Sequence, residues 1–257
     1  MNTHAPKRSV APMPRAAATT LDEWQTRVNL AACYRLVAMY GWDDLIFTHI
    51  SARIPGTDHH FLINPYGYLF DEITASSLVR VDLEGNILSN TDSFINPAGF
   101  TIHSAVHGAR EDVGCVLHLH TDCGVAVSSM ADGLLPLTQT AIACIEEVAY
   151  HDYEGIALNL DERERLVADL GDKNILILRN HGMLTAGADC AEAFMRMFFL
   201  ERACAMQVAA LSGKIAYPSQ QAINTTIEQA RDLCDLAPLA WSALLRKLDR
   251  TDPSYKT

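Results

Sequence analysis

Residues 116–120 read Val-Leu-His-Leu-His. The alternation over 117–120 belongs to an extended strand, whose successive side chains point to opposite faces. Leu117 and Leu119 then turn to a core, and His118 and His120 stand side by side on the other face. Two imidazoles on a mostly apolar strand need partners to offset their desolvation. Neighbouring imidazoles also suit chelation of one divalent cation. The bland alternative is a hydrogen-bonded pair without an ion, because one such pattern is weak evidence in a chain with 10 histidines. In both cases the pentapeptide requires a sheet packed on one side and carrying polar groups on the other.

The flanking sequence supplies that sheet. Thr20-Leu21-Asp22-Glu23 reads as a capping box opening a helix that Gly41 ends. Leu21, Trp24, Val28, Ala31, Ala32 and Met39 recur on it at helical spacing and mark the face expected to be buried. Residues 45–54 and 61–63 read as strands, followed by turn chemistry at Asn64-Pro65-Tyr66-Gly67. Residues 78–83 and 87–88 flank Glu84-Gly85-Asn86 as a hairpin. Helices are expected over 99–110 and 123–130, with the strand 113–120 between them and a short strand at 148–150. Asp161 caps a helix ending at Leu170 and Gly171, and 174–178 is a compact apolar strand. A long helix covers 189–211, and two weaker ones lie near 221–236 and 239–248. Short turns make the early strands antiparallel. The fold class is α/β, a mixed sheet covered by helices on both faces. No Walker loop, GxGxxG, GxSxG or HExxH motif occurs.

Composition narrows the function. The chain has 257 residues, 49% of them hydrophobic, enough for one large core. A net charge of −11 and the lack of a long basic run argue against nucleic acid and against anionic membranes. Seven scattered cysteines with no CxxC pair fit reduced thiols in a cytoplasmic protein. No apolar run is long enough to span a bilayer. Residues 1–20, with Lys7, Arg8 and Arg15 and no acid, read as a flexible tail. Residues 21–215 form the expected main domain, and 216–257 a helical extension packing on it.

His181 is a third candidate ligand, at the end of the strand 174–178 and next to Gly182, where the backbone can turn. A loop histidine with an ordinary hydrogen bond is its alternative. His103 and His107 share one helix face and read as helix surface or pocket wall. His59 and His60 lie in a turn and are expected to be exposed.

Three blocks together resemble the class II aldolase/adducin family: residues 47–53 (Phe-Thr-His-Ile-Ser-Ala-Arg), residues 99–120, and Arg179-Asn180-His181-Gly182. The resemblance spans about residues 27 to 207, and residues 96–156, with Gly133-Leu134-Leu135-Pro136, look closer to adducin-head-like members than to sugar-phosphate aldolases. It implies a three-layer α/β/α fold with a central mixed, largely antiparallel sheet, and a homo-oligomer, usually a tetramer with sites at subunit interfaces. It also implies a divalent ion on His118, His120 and His181, with Zn²⁺ expected and Fe²⁺ or Mn²⁺ as alternatives. The family's acid/base glutamate matches Gly99, and its phosphate-site asparagine and serines match His49, Pro97 and Ala98. A tyrosine acid supplied by a neighbouring subunit in the family aligns near Thr140. Each departure points away from sugar phosphates.

The expected function is therefore a metal-dependent lyase, cleaving or decarboxylating a non-phosphorylated, carboxylated hydroxy-keto or hydroxy-acid substrate. The catalytic residue stays unassigned. Glu147 and Tyr153 are weak candidates for a proton carrier, with Glu146 and Tyr150 beside them. A non-catalytic adducin-head-like binding module and an Fe(II)-dependent enzyme are the alternatives.

Overall fold

The structure is a computed structural model that describes residues 21–257. The Thr20 half of the capping box and the tail at 1–20 lie outside the described residues. Helix α1 (Leu21–Tyr40) is followed by strands β1 (His49–Arg53), β2 (Phe61–Ile63) and β3 (Val79–Val81), helix α2 (Pro97–Ala109) and strand β4 (Cys115–Leu119). Helices α3 (Asp122–Ser128) and α4 (Gln139–Cys144), strand β5 (Val148–His151) and helix α5 (Glu162–Leu170) come next. Strands β6 (Ile175–Leu178) and β7 (Gly182–Gly187) precede α6 (Cys190–Ala210), α7 (Gln220–Ala230) and α8 (Ala237–Thr251). The seven strands form one sheet in the order β3-β2-β1-β4-β7-β6-β5. Among the described residues only the β5–β6 pairing is parallel.

Side-chain parity divides the core into two layers. Ile50 and Ala52 of β1, Leu117 and Leu119 of β4 and Met183 of β7 pack with α1 and α6. Val116 of β4 and Leu184 and Ala186 of β7 pack on the opposite face with α2 and α5. His49, Ser51 and His118 share this second face, because residues two apart on a strand point the same way. The polar groups of the sheet therefore lie beneath α2. Helix α2 starts with Asn96, whose side chain accepts from the Ala98 amide, and Pro97 occupies its first turn, where no amide partner is needed.

The expected buried face of α1 needs correction. Leu21 and Trp24 of α1 are exposed, whereas Glu23 and Arg27 are buried. The reason is an ion-pair cluster: Arg27 and Arg80 both reach Glu23, and Arg27 also donates to the carbonyls of Ala75 and Leu78. The buried face of α1 is instead led by Leu30, Tyr34 and Val37. Strand β7 and helix α4 have no counterpart among the sequence expectations. At the far end of the chain, Trp241, Leu248 and Tyr255 are buried on the α1–α6 layer. Amides of Ala75 and Ser76 bond the carbonyls of Tyr255 and Thr257. Among the described residues no helix is long and apolar enough to cross a membrane.

Candidate metal centre

β4 lies between β1 and β7, and His118 sits opposite His49 on one side and Leu184 on the other. The His118 Nδ1 is 3.1 Å from the Met183 carbonyl, which can only accept, so Nδ1 carries the proton. His120 Nδ1 is 3.0 Å from a carboxylate oxygen of Asp44, which fixes the same tautomer. Their Nε2 atoms point away from these partners and stand 2.9 Å apart. Two nitrogens at that distance share either a proton or a cation, since two lone pairs alone would repel. The His181 ring centroid is 4.8 Å from those of His118 and His120, and the candidate ligand atoms of all three lie within 4.8 Å of one another. The donor set fits a divalent ion: three imidazoles, of which His118 and His120 have their Nδ1 atoms held by a carbonyl and a carboxylate, the support that metal-binding histidines usually have.

The backbone around His181 is shaped for this convergence. Asn180 adopts a left-handed conformation (φ 57°), which an asparagine tolerates better than most residues. The His181 amide bonds the Leu178 carbonyl, closing the turn between β6 and β7. At Gly182 a Cβ would stand 2.6 Å from the Leu119 carbonyl oxygen and 2.9 Å from the His120 ring. Glycine is what lets β7 pass directly under the histidines. Burial, and then the neighbouring imidazoles, hold the His118 pKa well below its ordinary value and lower that of His181 to about 4. Both rings are therefore neutral at physiological pH.

The three histidines open on a cavity of about 890 Å³. His49, Pro97 and Ala98 form one wall, Tyr153 and Ile156 stand at another, and Asp44 and Asp122 are its acids. No lysine or arginine is among its described lining residues. A large part of the surrounding surface is apolar and exposed: Leu45, Phe47, Tyr153, Ile156 and Leu158 are each 48–73% accessible.

His49, His103 and His107 are buried, so the helix-surface reading of the α2 pair does not hold. They are linked through Ser51 in one hydrogen-bonded chain. The His49 ring lies over Gly99, where a Cβ would meet its Cδ2 at 2.6 Å. The imidazole thus fills the volume a side chain at 99 would take. His59 and His60 are half-buried rather than exposed, held by Arg53 and Arg80. Of the proton-carrier candidates, Tyr153 lines the cavity. Glu147 does not: its carboxylate is bound by Arg196 Nε at 2.7 Å and by Asn174. The Tyr150 hydroxyl accepts from the Leu134 amide, and Glu146 faces solvent. Asp44 was missed, and nothing local marks it, because it meets His120 across 76 positions of sequence.

Residues 28–208 match the family model for the class II aldolase and adducin N-terminal domain. The chain belongs to this family. It is 62% identical over 237 residues to a Caulobacter vibrioides protein named "Putative aldolase class 2 protein", covering 91% of this chain and 92% of that one. It is 47% identical over 189 residues to alpha-adducin of Rattus norvegicus, covering 72% of this chain but 26% of the adducin. Among solved structures, an aldolase II superfamily protein from Pseudomonas syringae superposes with a TM-score of 0.90 at 51% identity, covering 93% of this chain and 97% of that one. L-fuculose 1-phosphate aldolase from Glaciozyma antarctica PI12 superposes with a TM-score of 0.81 at 27% identity, covering 96% and 97%.

Proposed function

We propose that the chain is a metal-dependent lyase acting on a non-phosphorylated hydroxy-acid or hydroxy-keto compound, with His118, His120 and His181 as the ligands of a divalent ion, zinc in the first instance. The observation that carries this reading is the convergence of three imidazoles, with the His118 and His120 Nε2 atoms 2.9 Å apart and His181 beside them. Three protein ligands leave coordination positions for a substrate. An ion held there would supply Lewis acidity, which stabilises the negative charge that develops when a C–C bond breaks.

The cavity supports the substrate class. A phosphate dianion taken from water needs several donors or cations. The described lining offers no lysine or arginine and includes two carboxylates, and Pro97 has no amide hydrogen. A hydroxy acid needs only the ion for its charge. The likeness to a fuculose phosphate aldolase favours a second reading, sugar-phosphate cleavage, and the two separate in one assay. The zinc-loaded protein is offered fuculose 1-phosphate and a panel of hydroxy-keto acids and hydroxybenzoates. Turnover of an acid that disappears in His118→Ala supports the proposal. Turnover of the sugar phosphate alone, lost in the same variant, refutes the substrate class.

The alpha-adducin likeness favours a non-catalytic binding role, which predicts no turnover of either group. The exposed apolar residues around the cavity mouth support a homo-oligomer in which a second copy covers them, a tetramer in the first instance.

A further inference from the structure

We infer that the cleft between α6 and α8 is a second binding site, for an amphipathic monocarboxylate whose body is an alkyl chain. The cleft shares no lining residue with the cavity at the histidines, so this site stands independently of the metal-dependent reading.

The cleft measures about 470 Å³, within the roughly 300–1,000 Å³ of small-molecule pockets. Phe194, Met195 and Phe198 of α6, Trp241 and Leu244 of α8, and Tyr40 at the end of α1 form its walls. The rings pack on one another: the Phe194 and Trp241 centroids are 6.0 Å apart, and those of Tyr40 and Phe198 are 5.8 Å apart. The walls are thus set before a ligand arrives, which lowers the cost of ordering them. Among the described lining residues none is an acid, an amide or an aliphatic alcohol. An alkyl chain laid there leaves water without breaking a polar contact.

The stripe that α8 gives to the cleft changes character along its length. Positions 240, 241, 243 and 244 are Ala, Trp, Ala and Leu, and positions 247 and 250 are Lys and Arg. They recur at helical spacing, so one face runs from apolar to cationic. The Lys247 ammonium stands 5.0 Å from the Tyr40 ring centroid, and the Arg202 guanidinium lies 5.6 Å from that of Phe198. Among the described residues none of these three cations is paired with a carboxylate, although the chain carries a net charge of −11. The helix dipole favours a cation in the last turn of α8, which accounts for Arg250 but not for Lys247 or Arg202.

Charge complementarity chooses the occupant. The apolar walls take a chain, and the cationic end takes an anionic head. Lys247 and Arg250, three positions apart, are neighbours on the helix surface and can share one carboxylate. Residues 1–20 do not suit the cleft, because their charged residues are the cations Lys7, Arg8 and Arg15. A second copy seated symmetrically on the same face would set like charges against each other.

Octanoate and octan-1-ol share a chain and differ in charge, and calorimetry on the purified protein compares them. The wild type should bind octanoate more tightly than octanol. Lys247→Gln together with Arg250→Gln should remove that preference, through a roughly 3–10-fold loss for octanoate with octanol unchanged, since exposed ion pairs are individually weak. Ala243→Trp fills the cleft from an exposed position and should weaken both ligands by about 10-fold or more. Ala240→Trp, also exposed on the lining, takes its place if that variant does not fold. Three results overturn the inference: no octanoate binding by the wild type, a preference that survives the double substitution, or binding that survives the tryptophan. Octanoate binding lost in His118→Ala but kept in Ala243→Trp would place the ligand at the histidines and overturn it too. Sedimentation of the same proteins covers the remaining occupant: an oligomer that Ala243→Trp dissociates would show a second copy in the cleft, against the inference.

Discussion

Gly99 and His49 are one decision made at two positions. The imidazole lies where a side chain at 99 would have to go, with 2.6 Å between its Cδ2 and the Cβ that Gly99 lacks. Gly99→Ala is expected to cost about 1–3 kcal/mol, the usual penalty of overpacking. The same substitution should cost much less in a His49→Ala background, because the clash is gone. Urea denaturation of the four proteins of this cycle measures the coupling; equal costs in both backgrounds would contradict the geometry. At this scale the sequence was only partly readable. His118, His120 and His181 stand out through strand alternation and a glycine neighbour. Asp44 and Ser51 do not, since their roles arise only when β1 and its preceding turn are laid beside β4 and α2.

The elements were mostly legible where one face is apolar and the other polar. Strand β4 and helix α6 follow their patterns closely. Strand β7 does not announce itself, because Gly182-Met183-Leu184-Thr185-Ala186-Gly187 is buried on both faces and so has no alternation to read. The face of α1 misled for a different reason: its Glu23 and Arg27 are buried as a satisfied ion pair, which a count of apolar residues cannot see. Helix α8 makes its own prediction. Trp241 packs near Phe194, with ring centroids 6.0 Å apart, on the same layer as α1 and α6. We propose that residues 216–257 unfold with the main domain. Trp241→Ala should then lower the stability of one cooperative transition by about 3–5 kcal/mol while leaving the zinc affinity unchanged. A separate early transition in wild-type chemical unfolding would show an independent unit instead.

For the whole molecule, the fold was legible as a mixed sheet between helices, and the family resemblance supplied the three-layer arrangement. The sheet order β3-β2-β1-β4-β7-β6-β5 was not, because it depends on which strands meet across long stretches of chain. The exposed apolar collar around the cavity, led by Ile156 at 73% and Leu158 at 65% accessible, predicts self-association. Sedimentation at micromolar concentration should find an oligomer, and Ile156→Asp with Leu158→Asp should shift it towards the 28.2 kDa chain. A wild-type protein that sediments only as the single chain would contradict this.

The central claim is that His118, His120 and His181 hold one divalent ion. Zinc content and affinity, measured on the purified protein and on each single alanine variant, test it most directly. The account predicts about one ion per chain in the wild type and, for each variant, an affinity lower by at least two orders of magnitude, with folding intact by circular dichroism. Full zinc binding that survives the loss of His181 together with His118 would contradict it.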